Sequence, residues 1–280
     1  VTEGPAEEPR RRFALGRAAA TVVAALKRRW LGYLLAGLVA GAGLPILANL
    51  GFEALRGLFA WARDPGFVLA SSLIRLALGA LLTGLVIQLT LQAVQPRPEA
   101  PAGAIGAAIE RLPALFVVTV LMRLPNLLIT VPTAYIYQGV QSGGVGASES
   151  AARIMMLSGP AIVIGTILSL LVIVPKQVVM AEAAGPIAAI RRSWALTRGR
   201  RWKVGALVFA VMSVTGLVEL AVILWRNTLI ASGVAAWVQT GSLYLSLPTG
   251  ILGTVVATAV YMELRRLEGG GAARTAAVFD

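Results

Sequence analysis

Six long apolar runs punctuate the chain: Trp30–Leu50, Phe67–Val94, Leu112–Tyr137, Leu157–Met180, Val204–Leu224 and Leu243–Met262. Each is dominated by Leu, Val, Ile, Ala and Gly. A run of about 20 such residues crosses a hydrocarbon core when helical. The pattern predicts six transmembrane helices. Six such runs in one soluble chain would leave too little polar surface to cover them.

Between the runs, three stretches share a second pattern of small residues, a short basic amphipathic segment, and a charged or aromatic shoulder into the next span. They are Phe13–Arg17 through Trp30, Ala104–Arg111, and Pro186–Trp194 through Lys203. The third is the clearest. Pro186 suits a first helical turn, where its missing N–H costs nothing. Ile187, Ile190 and Trp194 are expected on one face, and Arg191 and Arg198 on another. Such a helix lies in the interface plane. Trp30, Trp194 and Trp202 fit an aromatic belt. The expected fold is all-α: a polytopic membrane helical bundle of six transmembrane helices, arranged as three pseudo-repeated hairpins, each preceded by a cytoplasmic amphipathic interfacial helix. Residues 1–29 form the basic N-terminal segment, 30–264 the transmembrane domain and 265–280 a cytoplasmic tail.

Composition and charge sharpen this picture. Hydrophobic residues make up 57% of the 280 and charged residues only 14%, against about 25% charged in a soluble domain. The formal net charge is +12, and its location argues against nucleic acid as the partner. The loops Gly51–Gly66, Gln138–Gly159 and Arg226–Gly241 hold only Arg56, Arg63, Arg153 and Arg226. The opposite side collects 19 basic residues, among them Arg10 to Arg12, Lys27 to Arg29, Arg97, Arg111, Lys176, Arg191 to Lys203, and Arg265, Arg266 and Arg274. The positive-inside rule places both termini in the cytoplasm. Arg10 to Arg12 precede an apolar stretch without an A-x-A-like site, so no cleavable signal is expected.

Chemistry is sparse. The chain has no His and no Cys, which removes disulfides, thiolate chemistry, the commonest general base and the commonest metal ligand. Only Asp64 and Asp280 are aspartates, and neither lies in a carboxylate pair. Neither a P-loop nor a Gly-x-Ser-x-Gly motif occurs, and Leu247-Pro-Thr-Gly250 reads as a helix kink. No cofactor and no enzymatic activity are expected. Charges inside the spans matter more, because each costs a few kcal/mol at a helix centre. These are Arg75, Arg123 and Glu219. Arg123 precedes Pro125 and Pro132, so that span is expected to bend. An internal ion pair with Glu219, a ligand or transport pathway, and (for Arg75) snorkelling to the outer interface all remain open. Gly37-x-x-x-Gly41 allows close helix approach, within the bundle or to another subunit.

At Arg192-Ser193-Trp194-Ala195-Leu196-Thr197-Arg198-Gly199-Arg200-Arg201-Trp202, and at Tyr261-Met-Glu-Leu-Arg-Arg-Leu-Glu268-Gly269, the chain resembles a bacterial family. This is the membrane domain fused to some glycerophosphoryl diester phosphodiesterases, with its stand-alone relatives. The likeness is strongest over residues 160–270. It implies six helices and little chemistry, since the phosphodiesterase activity belongs to a separate soluble barrel that this chain lacks.

These features point to a non-enzymatic scaffold or accessory subunit of a larger membrane complex, with membrane lipids, anionic ones foremost, and other membrane subunits as partners. Arg191, Arg192, Trp194, Arg198, Arg200, Arg201, Trp202 and Lys203 are the candidate lipid- or partner-binding residues. The bland alternative is that these helices only cover the bundle. The rival function is a transporter or lipid-handling permease with a pathway near Arg123.

Overall fold

The structure is a computed structural model that describes residues 14–58, 65–94, 101–122, 124, 156, 174–231 and 247–279. All regular structure among these residues is helical. In chain order the helices are α1 (Leu15–Ala36), a π-helical segment (Gly37–Gly43), α2 (Leu44–Leu58), α3 (Pro65–Val94), α4 (Pro101–Glu110) and α5 (Leu112–Met122). Then follow α6 (Pro175–Glu182), α7 (Pro186–Thr197), α8 (Arg201–Ala231) and α9 (Leu247–Phe279).

Among the described residues, three stretches are long and apolar enough to cross a membrane: Leu15–Phe52, Ser72–Val94 and Leu247–Glu268. The pair α4 and α5, bent by 62°, makes a fourth if it is one span. The outer surface agrees with that reading. Leu34 and Leu35 on α1 and Leu38 and Val39 on the π-helical segment are exposed, as are Phe209, Val214 and Leu217 on α8. Bands of outward apolar side chains mark membrane contact in a helical bundle.

Several expected boundaries move. The first interfacial helix and span one meet at a kink at Arg29, which leaves helical geometry at φ −127°, ψ 20°. The expected loop from Gly51 is helical as far as Leu58, so span one outlasts its apolar pattern. Span four was drawn to Met180, but a new helix starts at Pro175 behind Val174, which is non-helical at φ −122°, ψ 26°. Proline at the first helical position has no N–H to lose and suits a fresh start. The body of span four lies outside the described residues. No break separates a tail at residue 265, because α9 runs on to Phe279.

Helix α3 occupies the middle, touching α1, α4, α6 and α9. Its two sides serve two cores. Ile87 packs with Leu115, Val178, Met180, Leu196, Val204, Val260 and Tyr261. Val86 and Leu89 pack with Ala25, Tyr33, Ala36 and Val255. The second core includes a buried polar contact, Tyr33 Oη to Thr90 Oγ1 at 2.9 Å.

Glycines set how closely these helices approach. A Cβ at Gly41 would stand 2.9 Å from Leu247 Cδ2 and 3.1 Å from Leu82 Cδ2, and one at Gly37 would stand 3.0 Å from Ile251 Cδ1. The small-xxx-small stripe therefore meets α3 and α9 of its own bundle. Gly84 fills the same role on α3, where a Cβ would lie 2.8 Å from Leu115 Cδ1.

Candidate functional site at the basic end of the bundle

A helix break falls at each of the three amphipathic stretches, and each break carries arginine. Arg29 is the non-helical residue in α1. Arg111 is the turn residue between α4 and α5. Between α7 and α8 lies Arg198-Gly199-Arg200, with Gly199 at φ 77° and the Arg200 N–H donating to the Thr197 carbonyl at 3.0 Å. Left-handed φ favours glycine, which has no Cβ to clash.

Two arginines close helix ends. The last carbonyls of a helix lack intrahelical partners and carry partial negative charge. Arg28 Nη1 donates to the Ala93 carbonyl at the end of α3 at 3.0 Å. Arg111 Nη1 donates to the Met180 carbonyl near the end of α6.

The sequence Arg192-Ser193-Trp194-Ala-Leu196-Thr197 is a set of internal contacts. Ser193, fully buried, accepts the Val174 N–H at 3.2 Å and so satisfies a free donor at the start of α6. Thr197 Oγ1 donates back to the Ser193 carbonyl at 3.0 Å. Leu196 enters the core. The Arg201 guanidinium stacks 3.7 Å over the Trp194 ring, a favourable cation–π geometry. Arg192 Nη1 and Nη2 grip Glu268 at 2.7 and 2.5 Å, while its Nε reaches Glu182 at 3.2 Å. Tyr261 Oη donates to the other Glu182 oxygen at 2.9 Å. The two stretches that carry the family resemblance are thus bolted to one another. The hydrogen bond to Glu268 is the main reason the Arg192 guanidinium holds its proton more tightly than usual; partial burial works against it, and the charges of Glu182 and Glu268 add to it.

A second ion pair ties α1 to α9. Glu263 is only 6% exposed and accepts from Arg17 Nη2 at 2.7 Å, from Arg17 Nε at 3.1 Å and from the Ala14 N–H at 3.4 Å. Arg266 stands 3.9 Å away.

The outward face of α7 departs from expectation. Apolar and basic residues do not separate, because Ile187, Arg191, Trp194 and Arg198 are all exposed, whereas Ala189, Ser193, Leu196 and Thr197 are buried. Successive residues turn by about 100°, so positions 187, 191, 194 and 198 share one stripe. Small side chains on the other side let α7 lie close to α6 and α9. Beyond the turn, Trp202 is 91% exposed, Lys203 is exposed, and Arg200 and Arg201 are half-buried.

The intramembrane charges are not brought together among the described residues. Arg75 is exposed in the first turn of the apolar stretch Ser72–Val94, within reach of an interface. Arg123 and the Glu219 side chain lie outside the described residues. Among the described residues, no group of three or more acidic side chains could hold a metal ion.

The acids Glu182, Glu263 and Glu268 and the arginines Arg17, Arg111 and Arg265 join the site only in the structure. Five of the six lie inside stretches whose pattern stands out in the sequence: Arg17 and Arg111 lie in the first two amphipathic stretches, and Glu263, Arg265 and Glu268 lie within Tyr261–Gly269. Arg111 and Arg265 share a cleft of about 380 Å³ whose lining also includes Gln88, Leu91, Val94, Met180 and Met262. Comparison with family models, curated proteins and solved structures yields no match.

Proposed function

We propose that this chain is a non-enzymatic integral membrane protein, a scaffold or accessory subunit that packs beside a larger membrane complex and contacts anionic lipid at its basic end. The basic end faces the cytoplasm of a bacterial inner membrane, with both termini on that side, and the protein is a relative of the phosphodiesterase-linked membrane domain.

One observation carries this reading. Helix α7 is clamped from behind by Arg192 and Ser193, and it holds Ile187, Arg191, Trp194 and Arg198 outward in a fixed stripe, followed by Trp202 and Lys203. Interleaved aromatic, aliphatic and basic side chains suit the boundary between acyl chains and headgroups, where arginine stems lie along apolar surface and their heads reach phosphate. The charge is offered outward, while acids pair with other arginines inside the fold.

Purification in mild detergent followed by mass measurement of the intact assembly tests the proposal. The expected result is a stable complex with further membrane subunits that retains phosphatidylglycerol over phosphatidylcholine. The combined variant Arg191→Gln, Arg198→Gln, Lys203→Gln should weaken that preference without lowering the melting temperature. A lone chain with no lipid preference that supports solute flux in proteoliposomes would overturn it in favour of the transporter with a pathway near Arg123.

A further inference from the structure

Most arginines at the basic end have an assigned counter-charge or a free surface. Arg17 meets Glu263, Arg192 meets Glu182 and Glu268, and Arg191 and Arg198 are exposed. Arg111 is half-buried and Arg265 exposed, and neither has such a counter-charge. They line the same cleft, and no carboxylate of the described residues lies within ion-pair distance of either. Arg111 spends one N–H on the Met180 carbonyl, and Arg265 makes one long contact, 3.4 Å, to Tyr261 Oη. Each guanidinium carries five N–H donors and keeps its charge in a protein. Two like charges sharing a recess with apolar walls favour an anion between them.

The rest of the lining says which anion. Leu91, Val94 and Met262 supply an apolar wall. Gln88 also lines the cleft, and its Oε1 is buried without a hydrogen-bond partner. A buried acceptor left unpaired is costly and calls for a donor. A phosphodiester that carries a hydroxylated headgroup and an acyl chain answers all three features. The phosphate takes the two guanidiniums, a headgroup hydroxyl hydrogen-bonds the cleft-lining part of the Gln88 amide, and the chain lies along the wall. Helix α3 ends here at Val94, so the cleft sits where a spanning helix leaves the hydrocarbon, at headgroup depth.

The geometry points to a specific binding site for an anionic glycerophospholipid of the phosphatidylglycerol type, in the cleft between Arg111 and Arg265. This rests on the reading that the basic end lies at a membrane surface, but it uses residues distinct from the outward stripe of α7.

The test is lipid retention by intact-mass measurement of the full chain in detergent, titrated with phosphatidylglycerol, phosphatidylcholine, inorganic phosphate or glycerol 3-phosphate. Arg111 also closes the end of α6, so Arg111→Gln can unfold. Arg265→Gln, and Val94→Trp at the exposed rim, therefore carry the experiment, with melting curves as the check on folding. Retention of one phosphatidylglycerol should fall roughly 10-fold or more in both variants, and phosphatidylcholine does not substitute. Full retention in Arg265→Gln and Val94→Trp, with loss only in the α7 variant, would overturn the cleft and leave the proposed function standing. Loss of all lipid preference in the unaltered chain would overturn that function. Saturable binding of phosphate or glycerol 3-phosphate that Arg265→Gln abolishes, without lipid retention, would replace the lipid by a soluble phosphate ester in the same cleft.

Discussion

Arg192 and Glu268 lie 76 residues apart and meet through two parallel hydrogen bonds of 2.7 and 2.5 Å. The paired fork geometry fixes the register of α7 against α9 in a way that a single contact would not. Glu182 joins the pair from α6, so three helices are located by one guanidinium.

A double-mutant cycle reads the strength of that contact. Both partners are partly solvent-exposed, which keeps the coupling small. Arg192→Gln with Glu268→Gln should show a coupling of about 0.5–1 kcal/mol in detergent melts. Arg192→Lys should behave like Arg192→Gln, because an ammonium does not reproduce the fork. Restoration of stability by lysine would mean that charge alone matters.

The pair beneath α1 behaves differently because its acid is buried. Arg17→Gln strips the Glu263 carboxylate of its closest donor, and a buried charge without its partner is more damaging than a neutral replacement of that charge. Arg17→Gln should therefore lower the melting temperature more than Glu263→Gln, and the double variant should recover part of the loss. The opposite order would show that water reaches Glu263.

Glycine substitutions separate close approach from free space. At Gly84, valine would drive its Cβ to within 2.8 Å of Leu115 Cδ1, and the overpacking should cost about 1–3 kcal/mol. Gly106 on α4 has nothing within 4 Å of a Cβ, so Gly106→Ala should stabilise by about 0.5–1 kcal/mol. Thermal melts of the two variants should shift in opposite directions.

Ala183 closes α6 in the left-handed region, at φ 51° and ψ 30°. That conformation costs a side-chain-bearing residue about 1 kcal/mol or more relative to glycine. Ala183→Gly should raise stability by roughly this amount, and Gly199→Ala, at φ 77°, should lower it. An unchanged melting temperature for Ala183→Gly would place the strain elsewhere.

Much of the helical layout was legible in the residues. Pro186 and the basic run after it foretold α7, and the glycine stripe foretold a tight crossing. Helix ends were less legible, because hydropathy reports where a chain sits and not where its backbone turns. Pro175, inside an apolar run, begins a helix that the run concealed. Arg29, at the shoulder of the first span, kinks the backbone between two helical segments.

The candidate site was half legible. Arg191, Arg198, Trp202 and Lys203 are exposed, whereas Arg192 turns to Glu182 and Glu268 and Arg201 lies over the Trp194 ring. Helical spacing gives the angle between two residues; it does not say which side meets a neighbour. Burial of Ala189 and Ser193 decided that, and it put the apolar and basic positions of α7 on one face.

Alone, the sequence determined an all-helical membrane chain with charge gathered between particular apolar runs, because transfer free energy is a local property of each segment. The tertiary structure decided which charges are spent. Glu263 and Glu268 select Arg17 and Arg192 across 246 and 76 residues, Glu182 joins Arg192 from the neighbouring helix, and Arg111 and Arg265 are left together in a cleft. An ion pair depends on distances of a few ångströms between helices, and those distances exist only once the helices have packed.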